Sequence, residues 1–219
     1  MSSRIENERR LRSRPVSGRV RALWKRWRRQ WLPHRKAEAL IRRYVVAGNL
    51  LDVGCGRGSL FLRLPGPIVP HGIEIDPAVI ELAEARAAER GGRVVHADAL
   101  RGLSMMAATE MSGIVMHSFL EHEIEPLVVL RESQRVLRSD GAIIIKVPNF
   151  ACWNRRWQGK EWPGFRFPDH VNYFTPPTLS RLVLRAGLTI LRFAWHDKLP
   201  LSDNMWLVAG RQRVGKLRV

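Results

Sequence analysis

Apolar positions along this chain follow two rhythms. Short runs, "LLDV", "PIVPHGIEID", "RVVHADAL", "SGIVMHSFLEH" and "AIIIKVPN", have the length and β-branched content of strands. Between them lie "KAEALIRRYVVAG", "PAVIELAEARAAERGG" and "EPLVVLRESQRVLRSDG", where apolar side chains recur every three or four residues and predict amphipathic helices. Pro77 opens the second of these and Gly91 and Gly92 close it, the usual punctuation of a helix. Strands alternating with helices build a parallel sheet whose ligands bind beyond the strands' C-terminal ends. After residue 150 the rhythm changes. Residues 150–175 read as an aromatic, proline-bearing insertion, "TPPTLSRLVLRAG" as a helix, and "LTILRFAWH" and "MWLVAGRQ" as a terminal hairpin pair. There is no internal repeat and no sign of a second domain.

The first strand runs into "GCGRG", and "SLF" after it predicts the start of a helix. A strand, a glycine turn and a helix start present outward-pointing amides to a nucleotide-like ligand, although glycine turns also serve purely steric ends. The spacing of Gly54, Gly56 and Gly58 is G-x-G-x-G, whereas a dinucleotide fingerprint needs G-x-G-x-x-G and would place its third glycine at Ser59. Asp52 stands at the mouth of the turn. A carboxylate there repels a diphosphate and attracts a cation, which favours S-adenosylmethionine, a ligand with an ammonium, a sulfonium and no phosphate. Glu74 ends the second strand, where an acid can accept from both ribose hydroxyls. Asp98 follows the third, placed to accept from an adenine amino group. Any one such acid is commonly a solvated turn residue or a helix cap; three at successive strand ends form a constellation.

In their order and spacing "LDVGCGRG", "GIEIDP", "HADAL" and "LEH…LVVLRESQRVLRSDGAIIIKVPN" resemble the successive motifs of a class I S-adenosylmethionine-dependent methyltransferase, from about Lys36 to the C-terminus. The resemblance implies an α/β fold, a Rossmann-like three-layer sandwich with a mostly parallel seven-stranded sheet and a C-terminal antiparallel hairpin. It implies that Asp52, Gly54, Cys55, Gly56 and Gly58 surround the methionine part of the cofactor and that Glu74 holds the ribose. Ile75, Asp98 and Ala99 would frame the adenine, and His117 would lie over the methionine end. "MHSFLEH" differs from the N-P-P-Y pattern typical of enzymes that methylate amino groups of DNA bases. It resembles the branch acting on hydroxyl or carbon atoms of small molecules, quinone-biosynthesis enzymes included. Residues 147–188 look like the corresponding region of a bacterial subgroup found with sugar and cell-envelope biosynthesis.

Hydroxyl acceptors need a base, and histidine is the type suited to neutral pH. His122, after strand four, and His170, in the insertion, are the candidates; the alternative for each is a structural role. Trp153, Trp157, Trp162, Phe165, Phe167, Tyr173 and Phe174 crowd the insertion among Arg155, Arg156, Lys160 and Arg166. That mixture suits a lid over a glycosyl or phosphate-bearing acceptor, or the capping of a small core.

Charge changes the picture only at the N-terminus. Residues 1–43 hold 15 Lys and Arg against 3 Asp and Glu, while the rest holds 22 against 17. Residues 1–35 therefore read as a basic arm and 36–219 as the methyltransferase domain. Residues 1–19 are polar and read as flexible. In "VRALWKRWRRQWLP", Val20, Leu23, Trp24, Trp27 and Trp31 fall at helical spacing among arginines, so residues 20–31 suit an anionic membrane surface or a lid on the domain. No apolar run reaches the roughly 18 residues that span a bilayer, and no secretory signal is evident. Cys55 and Cys152 are too few for a disulfide framework or zinc cluster, and Cys55 reads as a small filler; no metal site is expected. The expected setting is the cytoplasm, peripheral to the inner face of a membrane.

The function this composes is S-adenosylmethionine-dependent O-methylation of a small or lipid-linked acceptor, glycosyl or phosphate-bearing. One alternative is C-methylation of quinone or polyketide type. The other is a nucleic-acid-binding protein using the basic arm, which is less favoured because the chain shows no RNA-reading module and tryptophans at helical spacing fit a lipid surface better.

Overall fold

In the computed structural model, which describes residues 35–211, a helix over residues 35–44 (α1) leads into strand β1 (Gly48–Val53). There follow β2 (Ile68–Glu74), α2 (Pro77–Ala88), β3 (Arg93–His96), α3 (Ala99–Ser104) and β4 (Met111–His117). The chain continues with α4 (Pro126–Val136), β5 (Leu137–Pro148), α5 (Trp153–Gln158), α6 (Pro176–Arg185), β6 (Leu188–Phe193), the single turn α7 (Trp195–Lys198) and β7 (Asn204–Arg211). The seven strands make one sheet in the order β3-β2-β1-β4-β5-β7-β6. The first five are parallel; β7 runs antiparallel between β5 and β6. Because β1 has β2 on one side and β4 on the other, the chain reverses direction across the sheet there, and a cleft opens beyond the ends of these strands.

The core follows from the strand sequences. Leu51 and Val53 of β1, Ile114 and Met116 of β4, and Ile143 and Ile145 of β5 are buried in one cluster, joined by Val129 and Leu130 of α4 and by Leu179 and Val183 of α6. Central strands covered on both faces need such near-continuous apolar runs. Thr175 caps α6 through a reciprocal capping box with Thr178.

Five expectations are corrected. The helix foreseen from Ser59 is only a three-residue 3-10 turn, Phe61–Arg63. Gly58 takes φ +67°, the Phe61 ring packs so close that a Cβ on Gly58 would lie 2.7 Å from it, and Pro65 and Pro67 leave no length for a helix. The glycine turn therefore draws on no helix dipole. The fourth strand stops at His117 instead of reaching His122, because Ser118 turns at φ +57°. The strand "LTILRFAWH" stops at Phe193, with Trp195 and His196 in α7. The strand "RVVHADAL" stops at His96, because Asp98 caps the unforeseen helix α3, and the helix "EPLVVLRESQRVLRSDG" ends at Val136, where β5 begins. Helix α5 within the insertion was also not foreseen. Residues 20–31, and with them the membrane-facing arm, lie outside the described residues. Among the described residues no helix is long and apolar enough to cross a membrane.

One buried group in β2 has a measurable consequence. His71 is 7% exposed, and neither ring nitrogen has a hydrogen-bond partner among the described residues. Burial first, and the Arg93 guanidinium second, hold the imidazole below the usual histidine range, with Glu110 opposing them. The folded state keeps it neutral while the unfolded chain protonates it. The stability tied to neutral His71 is therefore full above the unfolded pKa, about 6.5, and drains away as pH falls below it. His71→Leu is expected to flatten the fall of Tm with pH below that value. Parallel Tm-against-pH curves for wild type and variant would contradict the assignment.

Candidate active site

Strand β1 delivers the glycine turn to the cleft. Gly54, Gly56 and Gly58 have φ of +73°, +52° and +67°, conformations that side-chain-bearing residues rarely adopt. The amides of Gly54 and Cys55 both donate to the Ile73 carbonyl, at 2.9 and 3.2 Å, which locks the turn to β2. Gly54 is closed on one side, where a Cβ would lie 3.0 Å from the Phe119 ring, whereas a Cβ on Gly56 would meet nothing within 4 Å. The turn thus has one packed wall and one open face.

Two of the three sequence-predicted acids, Asp52 and Glu74, lie at this turn. The Glu74 carboxylate accepts from the Gly56 amide at 2.7 Å and from those of Ile75 and Asp76 at 2.8 and 2.9 Å. Asp52, at the end of β1, is buried, and burial together with the nearby Glu74 charge pushes its carboxyl well above the usual range. Both influences raise it, and a cation placed beside it would relieve both. The ammonium of S-adenosylmethionine would supply that charge, and its ribose hydroxyls would suit an acid already oriented by three amides. The residues present fit the cofactor.

The remaining cofactor-side residues divide. Ile75 is exposed on the lip of the turn. Asp98 accepts from the Arg101 amide at 2.9 Å and so caps α3 with Oδ1; Ala99 is buried as the first residue of that helix. His117 is half-buried at the end of β4, its ring 5.5 Å from that of Trp206. Cys55 fits against Gly72, where a Cβ would come within 2.6 Å of its sulfur. Burial, with Asp52 and Glu74 adding to it, pushes this thiol far up, so it packs as a neutral filler.

A second cluster forms beyond β4. In the turn after Ser118, the His122 amide donates to the Phe119 carbonyl, and Phe119 is the residue packed on Gly54. The insertion is stitched to this turn: the amides of Val171 and Asn172 both donate to the Glu121 carbonyl, and the Asn172 side chain donates to the carbonyls of Leu120 and Glu123. His122 and His170, far apart in sequence, meet edge to face with ring centroids 4.5 Å apart. Nδ1 of His122 donates to the Asp169 carbonyl and Nδ1 of His170 to the Gly164 carbonyl, each at 2.8 Å. Carbonyls only accept, so these bonds place the proton on Nδ1 and leave the lone pair of each neutral ring on Nε2. Burial lowers His170 against the Gly164 carbonyl, which raises it.

Glu121 is 1% exposed, and its Oε2 has no hydrogen-bond partner among the described residues. Burial raises its carboxyl, while a hydrogen bond from the Glu121 backbone amide, the Lys146 and His122 charges and a hydrogen bond from Ser118 pull the other way. Lys146 leaves the end of β5 to donate to Ser118 Oγ at 2.5 Å, and burial pulls its ammonium down. Sequence reasoning singled out neither Ser118 nor Lys146 nor Phe119. A lone lysine in "AIIIKVPN" was the one available signal.

The insertion's aromatics separate into two sets. Phe150 donates its amide to Phe174 at 2.8 Å, closing the base of the segment. Inside, Phe150 and Tyr173 lie 5.0 Å apart and Trp162 and Phe174 are buried; Phe165 stacks on Tyr173 at 5.4 Å from an exposed position at the edge. Arg155 lies over the Phe150 ring at 4.1 Å and so belongs to this small core. Trp157 and Phe167 stand outside it, 89% and 82% exposed, and Trp153 is half exposed.

A family model described as "Methyltransferase domain" matches residues 18–192. The ubiquinone biosynthesis O-methyltransferase of Histophilus somni (strain 2336) is 25% identical over 172 residues, covering 73% of this chain and 72% of that protein. The aklanonic acid methyltransferase DauC of Streptomyces sp. (strain C5) is 27% identical over 170 residues, covering 74% and 69%. Among solved structures, a SAM-dependent methyltransferase from Archaeoglobus fulgidus superposes with a TM-score of 0.60 at 20% identity, covering 80% of this chain and 93% of its own.

Proposed function

From the premise that this chain belongs to the methyltransferase domain family and takes its methyl group from S-adenosylmethionine, we propose that it O-methylates a small or lipid-linked acceptor bearing a glycosyl or phosphate group. The observation that carries the reading is the His122–His170 pair, held on the turn that packs against Gly54 and presenting Nε2 lone pairs beside the buried Glu121. The cofactor supplies an activated methyl group when bound. This chain's part is to orient and to ease loss of the acceptor proton. Asp52 and Glu74 would orient the donor. The packed insertion, tied to the Glu121 carbonyl, would exclude water. The imidazole pair would ease removal of the acceptor's hydroxyl proton. Arg156, Lys160 and Arg166, all exposed, would meet an anionic group on the acceptor.

A relative whose name specifies an O-methyltransferase supports transfer to oxygen. Residues 20–31 would hold the enzyme at an anionic membrane, and binding of the full chain to anionic vesicles is expected to persist in part at high salt, whereas binding to a nucleic-acid backbone would collapse. The reading is tested by incubating the enzyme and labelled S-adenosylmethionine with cell extract, partitioning the products, and identifying the methylated atom by NMR. Label in the organic phase, on oxygen, is expected for a lipid-linked acceptor. Aqueous label on oxygen would make the acceptor a soluble metabolite, and label on carbon would overturn the O-methyl assignment.

A further inference from the structure

We propose that Glu121, His122 and His170 bind one divalent transition ion of the zinc class, which ties the insertion to the turn after β4 and offers open coordination positions to an acceptor oxygen. One donor atom from each of the three residues lies within 4.8 Å of the other two. Two independent features aim them at a ligand. Both imidazoles give their Nδ1–H to a backbone carbonyl, the outer contact that orients a metal-binding histidine and leaves Nε2 to coordinate, so that with the ion in place the two rings act on the acceptor through the ion and not as free bases. The third residue, Glu121, has a buried oxygen, Oε2, with no hydrogen-bond partner among the described residues. A buried acceptor left unpaired is costly, and a cation removes that cost.

Two nitrogens and one carboxylate oxygen form the donor set that zinc uses in catalytic sites, where a further position stays open. Neutral imidazoles suit zinc and its neighbours better than magnesium or calcium, which prefer oxygen. His122 is exposed while Glu121 and His170 are buried, so the open side faces outward past His122. Lys146 and Arg166 are the cations that face the cluster. Lys146 is engaged by Ser118 Oγ, and Arg166 is exposed and screened by solvent. With these charges around the ion, the open positions favour an oxygen ligand that carries negative charge, which narrows the acceptor to one whose hydroxyl neighbours an anionic group. That narrowing rests on the methyltransferase reading; the binding of the ion does not.

The test separates the two. Full-length protein stripped with a chelator is titrated with Co2+ and followed by its visible absorption, then with Zn2+ by calorimetry. The expected result is one ion per chain, with at least tenfold weaker binding in Glu121→Gln and in His122→Ala and no change in His196→Ala, an exposed histidine outside the cluster. His122→Ala removes an exposed side chain, so it remains decisive if Glu121→Gln does not fold. No saturable binding, or binding undiminished in His122→Ala, would overturn the site. Tight binding with methyl transfer unaffected by chelation would overturn the ion's role toward the acceptor while leaving the methyltransferase reading intact. Loss of methyl transfer with no ion bound would exclude the site alone.

Discussion

Asp52→Ala is expected to weaken S-adenosylmethionine binding by about 10²–10³-fold, on the order of 3–4 kcal/mol, the range for removing one partner of a desolvated charge pair. The carboxylate is buried at the end of β1, and both its burial and the Glu74 charge raise its pKa. Without a cation nearby, such a group opposes folding near neutral pH. A folded pKa above the unfolded one contributes stability only at low pH, and that contribution is lost as pH rises through the folded value. The cofactor-free variant Asp52→Asn, which keeps the shape, is therefore expected to melt no lower than wild type while binding the cofactor poorly. Isothermal titration and thermal melts check both halves. Unchanged cofactor affinity would remove Asp52 from the site, and a lower Tm in the apo variant would show that the carboxylate stabilises the fold instead.

The second large effect is expected at His122. His122→Ala should lower kcat by about 10²-fold, the lower end for loss of acid–base assistance, with cofactor affinity changed by less than about threefold. The residue is exposed and contributes one hydrogen bond, to the Asp169 carbonyl, so the fold should lose only about 1 kcal/mol. Its value lies in the Nε2 lone pair, whether that acts on the acceptor directly or through an ion. Single-turnover rates beside titration of the donor separate the roles. Equal losses in rate and donor affinity would mean that His122 only braces the turn carrying Phe119 against Gly54.

The glycine turn and the acids beside it were legible in the sequence. A glycine turn and a carboxylate at each strand end are local features, and the spacing of strands brings their ends to one edge of a parallel sheet. Asp52 and Glu74 accordingly face the same turn. Asp98 proves to be a helix cap, the role an acid at a strand end commonly has, and that helix was too short to register as a period. The missing helix after Gly58 was a misreading of local pattern. Phe61 reads as an apolar helix position, but its ring is drawn under the glycine turn and the prolines end the segment.

The histidine cluster beyond β4 was legible only as separate residues. His122 and His170 could be named, but their meeting depends on the route of the insertion, pinned by hydrogen bonds from Val171 and Asn172 to the Glu121 carbonyl. The same route decides which aromatics form a core and which face water, since Trp162 and Trp157 look alike in sequence. Alone, the sequence determined the order of strands and helices, the parallel sheet with its antiparallel end, and the acid-lined glycine turn, because each arises from periodicity or from neighbours a few residues apart. Only the tertiary structure decided that Glu121, His122, His170 and Lys146 share one pocket of charge, because they are joined by contacts between distant segments for which no local pattern selects.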